Sequence, residues 1–306
     1  MKHNTEFMQS FMARYDYPEI AVKEFTRISD RLDNEKEFAE KFDAVVENYL
    51  FPEVGEIREA VTAIEELAKE YNENECTLDF VFLLNCLPAT KERYEKAGID
   101  EQIFWDTFAD LKCKLMECIA CEEVPGTFVA TWNGGFFRLT RFAYGRFQYE
   151  ISTYTNENDF VTKSGRVLTD GDKYINFHIP SSGIPLTDEV RLDSYRKAYE
   201  HYKHMFPDGK VVFGCGSWLL YPRHKEFLPE KSNILKFMSD FEMVEWKDSD
   251  RFGDGWRVFG KYSDHPINEW PRDTALRRAF AEWIEKGNPV GNGFGVFVFD
   301  GENIVR

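Results

Sequence analysis

The sequence predicts a two-domain α+β chain, with an all-α domain over residues 1–123 and an α+β domain with a mixed sheet over residues 124–306. Three observations carry this. The chain has 306 residues, beyond the roughly 250–300 at which a single core usually stops growing. Its first part shows helical periodicity, scarce glycine and no strand alternation. After Pro125-Gly126, aromatic runs alternate with Asn-Gly, Ser-Gly and Asp-Gly turn signals.

The helical series follow in order. Short helices are expected over 5–14 and 18–32. From Glu35, apolar residues at 38, 42, 45, 46 and 49 share one helix face, and Ile57, Val61, Ile64, Ala68 and Tyr71 form the next series. A third begins near Glu75 with the dense run Phe80 to Leu84. Pro88 is expected to kink or restart it, and Gly98 to end it. Asp100 reads as the N-cap of a fourth, with Phe104, Phe108, Leu111, Leu115 and Ile119 on its face.

In the second part, Asn133-Gly134 between two aromatic-rich runs predicts a hairpin, extended by Tyr144-Gly145 to a three-stranded meander over 128–154. The polar stretch 155–173 reads as loop with a small hairpin. Residues 174–222 then read as strand, loop, helix and strand, a βαβ crossover with parallel strands. Further on, a helix is expected over 225–240, strands over 241–246 and 256–262, a helix over 273–286, and a closing hairpin from Gly293 to Val305.

Composition excludes several classes. Net charge is −16, from 38 basic and 54 acidic residues. Such a surface repels phosphate backbones and anionic lipid, so neither nucleic acid nor membrane is an expected partner. The N-terminus lacks the apolar core of a signal peptide, and no run approaches about 18 apolar residues. With six sparse cysteines, this leads us to expect reduced thiols and a cytoplasmic protein.

The crossover concentrates the candidate chemistry. In the strand at 174–179, Ile175, Phe177 and Ile179 point one way and Tyr174, Asn176 and His178 the other. A polar stripe inside a sheet must find partners or carry a function. Cys215, flanked by Gly214, Gly216 and Ser217, would form a thiolate nucleophile if His178 were its base. Other clusters have blander readings. Cys113, Cys118 and Cys121 have an iron–sulfur-like spacing, but they lie on a well-patterned helix, where cysteine packs as a small apolar residue. His201 and His204 lie opposite the tyrosine stripe of their helix and read as a solvated face, so no metal is expected. Arg138, Arg141 and Arg146 are expected to form cross-strand ion pairs, and Trp132 and Trp218 to be core.

At HIPSSGIPL (178–186) and FGCGSWLLYP (213–222), behind an all-α N-terminal half, the chain resembles bacterial acyltransferase-domain proteins. These join an N-acyltransferase N-terminal domain to a GNAT-like C-terminal domain. The resemblance implies that the strands at 174–179 and 211–215 splay apart to admit the pantetheine of an acyl-coenzyme A, with Ser181, Ser182 and Gly183 as the phosphate loop. It further implies that Ile179, Cys215, Ser217 and Trp218 line the cofactor. The loop IPSSGIPLTDEV departs from the usual Gln/Arg-x-x-Gly-x-Gly/Ala pattern. Asp188 and Glu189 in the helix's first turn complement its dipole and oppose a pyrophosphate at the same place. The expected activity is direct acyl transfer from acyl-coenzyme A to a small-molecule amine, with His178 (or Glu226) as base and Tyr221 as acid. The alternative is a non-catalytic ligand-binding or regulatory protein on the same scaffold. The helical domain is expected to shape the acceptor side.

Overall fold

In a computed structural model, which describes residues 5–306, the chain separates into one unit up to Phe142 and a second from Ala143. The first contains α1 (Thr5–Arg14), α2 (Glu19–Asn34), α3 (Lys36–Leu50), α4 (Ile57–Glu70), α5 (Glu75–Lys96), α6 (Glu101–Phe108), α7 (Asp110–Glu122) and the single turn α8 (Gly134–Phe137). Its axis is α5. Leu78 through Leu84, Cys86 and Leu87 are all buried, and a helix apolar on every side belongs in the middle of its unit.

Asn74 caps α5 by accepting from the Thr77 amide, and Gly98 closes it in the left-handed region at φ 69°. The helix runs unbroken through Pro88, so the proline does not restart it. Around the proline, Asn85 donates to the Val81 carbonyl and Thr90 to the Cys86 carbonyl. Burial on all sides carries the helix through the missing amide. The fourth predicted series is divided at Ala109 into α6 and α7.

The second unit is built on a sheet of β1 (Arg141–Tyr144), which straddles the boundary, β2 (Phe147–Thr153), β5 (Lys173–His178), β6 (Val211–Ser217), β7 (Glu242–Ser249), β8 (Val290–Phe299) and β9 (Ile304–Val305). The strand order is β1-β2-β5-β6-β8-β7, with β9 beside β8. A separate small hairpin pairs β3 (Phe160–Val161) with β4 (Val167–Leu168). The helices are α9 (Asp188–Tyr202), α10 (Asn233–Met238), α11 (Trp256–Phe259) and α12 (Ala275–Glu285). As predicted, β5-α9-β6 is a crossover between parallel strands.

One face of the sheet is closed by rings. Phe147, Tyr149, Phe177, Phe213 and Phe297 pack with Tyr195 of α9, and Phe237 and Phe241 complete the layer. A satellite core gathers Leu228, Val258, Phe259, Phe280 and Ala281.

Two predicted strands are helical turns instead. The Asn133-Gly134 hairpin does not form: Ala130–Asn133 is a 3-10 turn running directly into α8. Asn133 donates to the Ala130 carbonyl. A Cβ on Gly134 would lie 2.8 Å from the Ile57 side chain, so this glycine serves close packing rather than a hairpin. The meander is therefore reduced to β1 and β2. Residues 256–262 form α11 and a 3-10 turn, with Val258 and Phe259 both buried. The helix expected over 225–240 is cut to α10 by Pro229, with Ser232 capping the restart.

Candidate active site

The parallel ladder between β5 and β6 contains only Ile175 opposite Phe213 and Asn176 opposite Gly214. Beyond that point each strand keeps only the neighbour on its other edge. Phe177 and His178 pair with Tyr149 and Gln148 of β2, while Cys215, Gly216 and Ser217 pair with Gly295, Phe294 and Gly293 of β8. Two parallel strands that stop exchanging hydrogen bonds while both continue must diverge. The opening predicted between these strands therefore begins after Asn176 and Gly214.

His178 stands at its edge. Its Nε2 lies 2.6 Å from Glu150 Oε1, with the Asn176 amide 3.2 Å away. Glu150 comes from β2, where it faces Asn176 across the ladder, so period-2 alternation puts all three polar groups on one sheet face. A carboxylate accepts, so Nε2 carries the proton and Nδ1 is the basic nitrogen. Glu150 is the partner that the sequence reading missed; its signal was a second alternating polar residue on a strand, visible only once strand pairing is known.

Cys215 does not join His178. It sits on the opposite face, only 1% exposed, and burial pushes its thiol well up. The thiolate-nucleophile reading is therefore corrected: a buried thiol lacking a facing base stays protonated. Tyr221 is likewise on the far face, against Gly291, where an added Cβ would lie 2.6 Å from its ring. Its hydroxyl donates to Asp248 at 2.7 Å, and burial together with that carboxylate pushes its pKa up to about 12. Glu226 is bound to Arg223 at 2.8 Å, which holds its carboxyl below the usual range. Tyr221 and Glu226 are thus engaged with Asp248 and Arg223. Trp218 packs on Phe252, Phe280 and His224 in the satellite core, and Ser217 accepts from the Leu219 amide.

The loop after β5 is more organised than its sequence implied. Arg146 is buried and donates to the Pro180 carbonyl at 2.8 Å and the Ile184 carbonyl at 3.0 Å. It thereby fixes both ends of a segment whose residues Ser181 to Pro185 are exposed and whose Gly183 has φ 74°. Ile179, at its start, is half-buried. Ser182 Oγ accepts from the Ile184 amide, and Arg257 reaches Ser181 Oγ at 3.5 Å. Of the objecting acids, Asp188 is paired with Arg191 at 3.1 Å, and Arg191 is itself anchored on Asp240.

The other arginines behave differently from the cross-strand expectation. Arg138 pairs with Glu56, and Arg141 stacks 4.1 Å over Trp132. His201 lies against the Tyr144 ring. The three helix cysteines lie on α7, with Cys118 fully buried.

A cavity of about 540 Å³ lies on the far side of the opening from His178, floored by Gly216, Gly293 and Phe294. Ser217, Glu245, Lys247 and Asn292 surround it. A bulge between Met243 and Glu245 shifts the register of β7. It turns Glu245 and Lys247 onto the face carrying Phe294 and His178, as bulges beside sites commonly do.

The sequence can be placed on the same grounds. Residues 6–139 match the N-acyltransferase N-terminal domain, and residues 141–297 match the GNAT-like C-terminal domain. The chain belongs to this acyltransferase family. Among curated proteins, none matches it significantly. Solved structures do resemble it. One is an acyltransferase in complex with decanoyl-CoA and teicoplanin, at TM-score 0.73 and 18% identity over 98% of this chain and 88% of that one. Another is an acyltransferase mutant in complex with octanoyl-CoA, at TM-score 0.72 and 19% identity over 95% and 87%. A third, an acyltransferase in complex with decanoyl-CoA, gives TM-score 0.60 and 21% identity over 94% and 98%. At these identities the likeness is one of fold.

Proposed function

We propose that the chain is an acyl-coenzyme A-dependent N-acyltransferase that transfers its acyl group directly to a small-molecule amine. The observation that carries this reading is the His178–Glu150 pair at the edge of a ladder that stops between two parallel strands. Membership of the acyltransferase family supports it, as do the acyl-CoA complexes of the fold neighbours. The residues present suit the thioester. An opening between two parallel strands suits a thin chain such as pantetheine. The exposed loop at Ser181 to Gly183 is pinned from behind by Arg146 and approached by Arg257, and a cation at a loop suits a phosphate.

In the proposed reaction the ammonium of the acceptor loses a proton to His178 Nδ1. The amine nitrogen then attacks the thioester carbonyl, forming a C–N bond as the C–S bond breaks. Glu150 fixes the tautomer and stabilises the imidazolium that results. The second proton of the attacking nitrogen leaves to solvent or the departing sulfur. A thiolate with a pKa of about 8.5 leaves readily, so the step proceeds without Tyr221, whose proton is held by Asp248. The departure of the loop from the usual glycine pattern favours a second reading, ligand binding without turnover.

Thiol release from octanoyl-CoA over a panel of primary amines separates the two. The enzyme reading predicts amine-dependent release that falls at least 100-fold in His178→Ala. Release that is absent with every amine, or unchanged in the variant, contradicts it.

A further inference from the structure

Glycine within a strand weakens it, so each such glycine in β6 and β8 calls for a reason. Most have one in the packing. A Cβ on Gly214 would lie 2.6 Å from the Tyr174 ring, one on Gly291 2.2 Å from the Lys247 carbonyl oxygen, and one on Gly293 2.5 Å from the Leu220 carbonyl oxygen. On Gly295 it would lie 3.0 Å from Phe241. Gly216 is different. Its added Cβ would meet only Phe294, at 4.0 Å. The neighbouring side chains leave that space open, and it forms the floor of the cavity of about 540 Å³. Gly216 is also the first exposed residue of β6 past the end of the β5 ladder, on the same sheet face and at the same end as His178.

We propose that Gly216 is kept without a side chain to admit the acyl tail of the thioester, and that it sets the longest chain the protein accepts. The proposal rests on the acyl-coenzyme A reading given above. The carbonyl carbon has two sides to fill. The attacking amine must approach within reach of His178 on β5, so the tail departs across the opening, over β6 toward β8. There it meets the bare backbone at Gly216 and the ring of Phe294, which together offer an apolar floor. Lys247 and Glu245 flank that floor with opposite charges, which suits an uncharged chain better than a second ion. The volume exceeds what an acetyl group needs, so the ligand class is a medium-chain acyl-coenzyme A.

The test is calorimetric titration of the full chain with CoA, acetyl-CoA and octanoyl-CoA, repeated in Gly216→Ala and Gly216→Leu. The wild type is expected to bind octanoyl-CoA at least tenfold more tightly than acetyl-CoA. That preference should shrink severalfold in Gly216→Ala and vanish in Gly216→Leu, so that the cut-off length shortens as the side chain grows. A preference unchanged in Gly216→Ala overturns the proposal even if Gly216→Leu does not fold. Equal binding of CoA, acetyl-CoA and octanoyl-CoA by the wild type also overturns it, and leaves the acyltransferase reading standing. Binding of none of the three overturns both.

Discussion

Replacing His224 with Phe should remove an acid sensitivity built into the second unit. His224 is only 2% exposed, its Nδ1 has no hydrogen-bond partner, and the rings of Trp218, Tyr221, Phe227 and Phe280 surround it at 5.4 to 6.0 Å. Burial lowers its pKa from 6.5 to about 4. The unfolded chain therefore binds this proton at a higher pH than the folded one. The contribution to stability is complete above pH 6.5 and is lost as pH falls toward 4. At one pKa unit per 1.36 kcal/mol the full loss is about 3 kcal/mol, of which about 2 kcal/mol has gone by pH 5. The Phe ring fits the same aromatic shell and carries no proton. Urea unfolding of wild type and His224→Phe at pH 7.5 and pH 5.0, followed by tryptophan fluorescence, isolates the effect from other titrating groups. The wild type should lose about 2 kcal/mol more than the variant over that interval. Parallel losses, within about 0.5 kcal/mol, would refute the reasoning.

Three more outcomes are expected. Asp79, buried in α5 with Oδ1 unpartnered, is pushed up to about 8 by burial and by the nearby acids. Its stabilising neutral form is thus lost as pH rises toward 8, and the stability advantage of Asp79→Asn should grow by about 4 kcal/mol between pH 4.5 and pH 8 in unfolding titrations. Gly214→Val should destabilise the second unit by about 1–3 kcal/mol in the same assay, because its Cβ meets the Tyr174 ring at 2.6 Å in a packed layer. Glu150→Gln should lower kcat/KM about 10- to 100-fold, the equivalent of one hydrogen bond to a charged group. It should cost little in a His178→Ala background, which a thiol-release double-mutant cycle would show.

The crossover and the helical half were legible because periodicity and turn chemistry agree there. Ile175 and Phe177 bury one face of β5, and α9 runs from its Thr187 cap to Tyr202. The misreadings occurred where a local signal was overridden by packing. Asn133-Gly134 has hairpin chemistry, yet Gly134 is small because Ile57 lies on it. Pro88 has breaker chemistry, yet it lies in a helix buried on all sides. The site was legible in part. His178 was visible as a polar residue on an apolar strand. Glu150 and Arg257 were not, because each comes from a different element and sequence separation conceals the pairing, and Arg146 was visible only as a member of an arginine cluster expected to form ion pairs. Cys215 and Tyr221 were drawn to the site by proximity in sequence, but alternation sends Cys215 to the other face, and Tyr221, past the 3-10 turn that follows β6, packs against Gly291. The meaning of Gly216 emerged only by contrast with its neighbours, since in the sequence GCG and GNGFG all the glycines look alike.

Acyl transfer at this site requires above all that an acyl-coenzyme A lie between β5 and β6. Amide hydrogen exchange of the full chain with and without CoA tests this directly. Protection should concentrate in residues 179–183 and 214–217, which border the opening and its loop. Protection confined to other segments, or no change at saturating CoA, would contradict it.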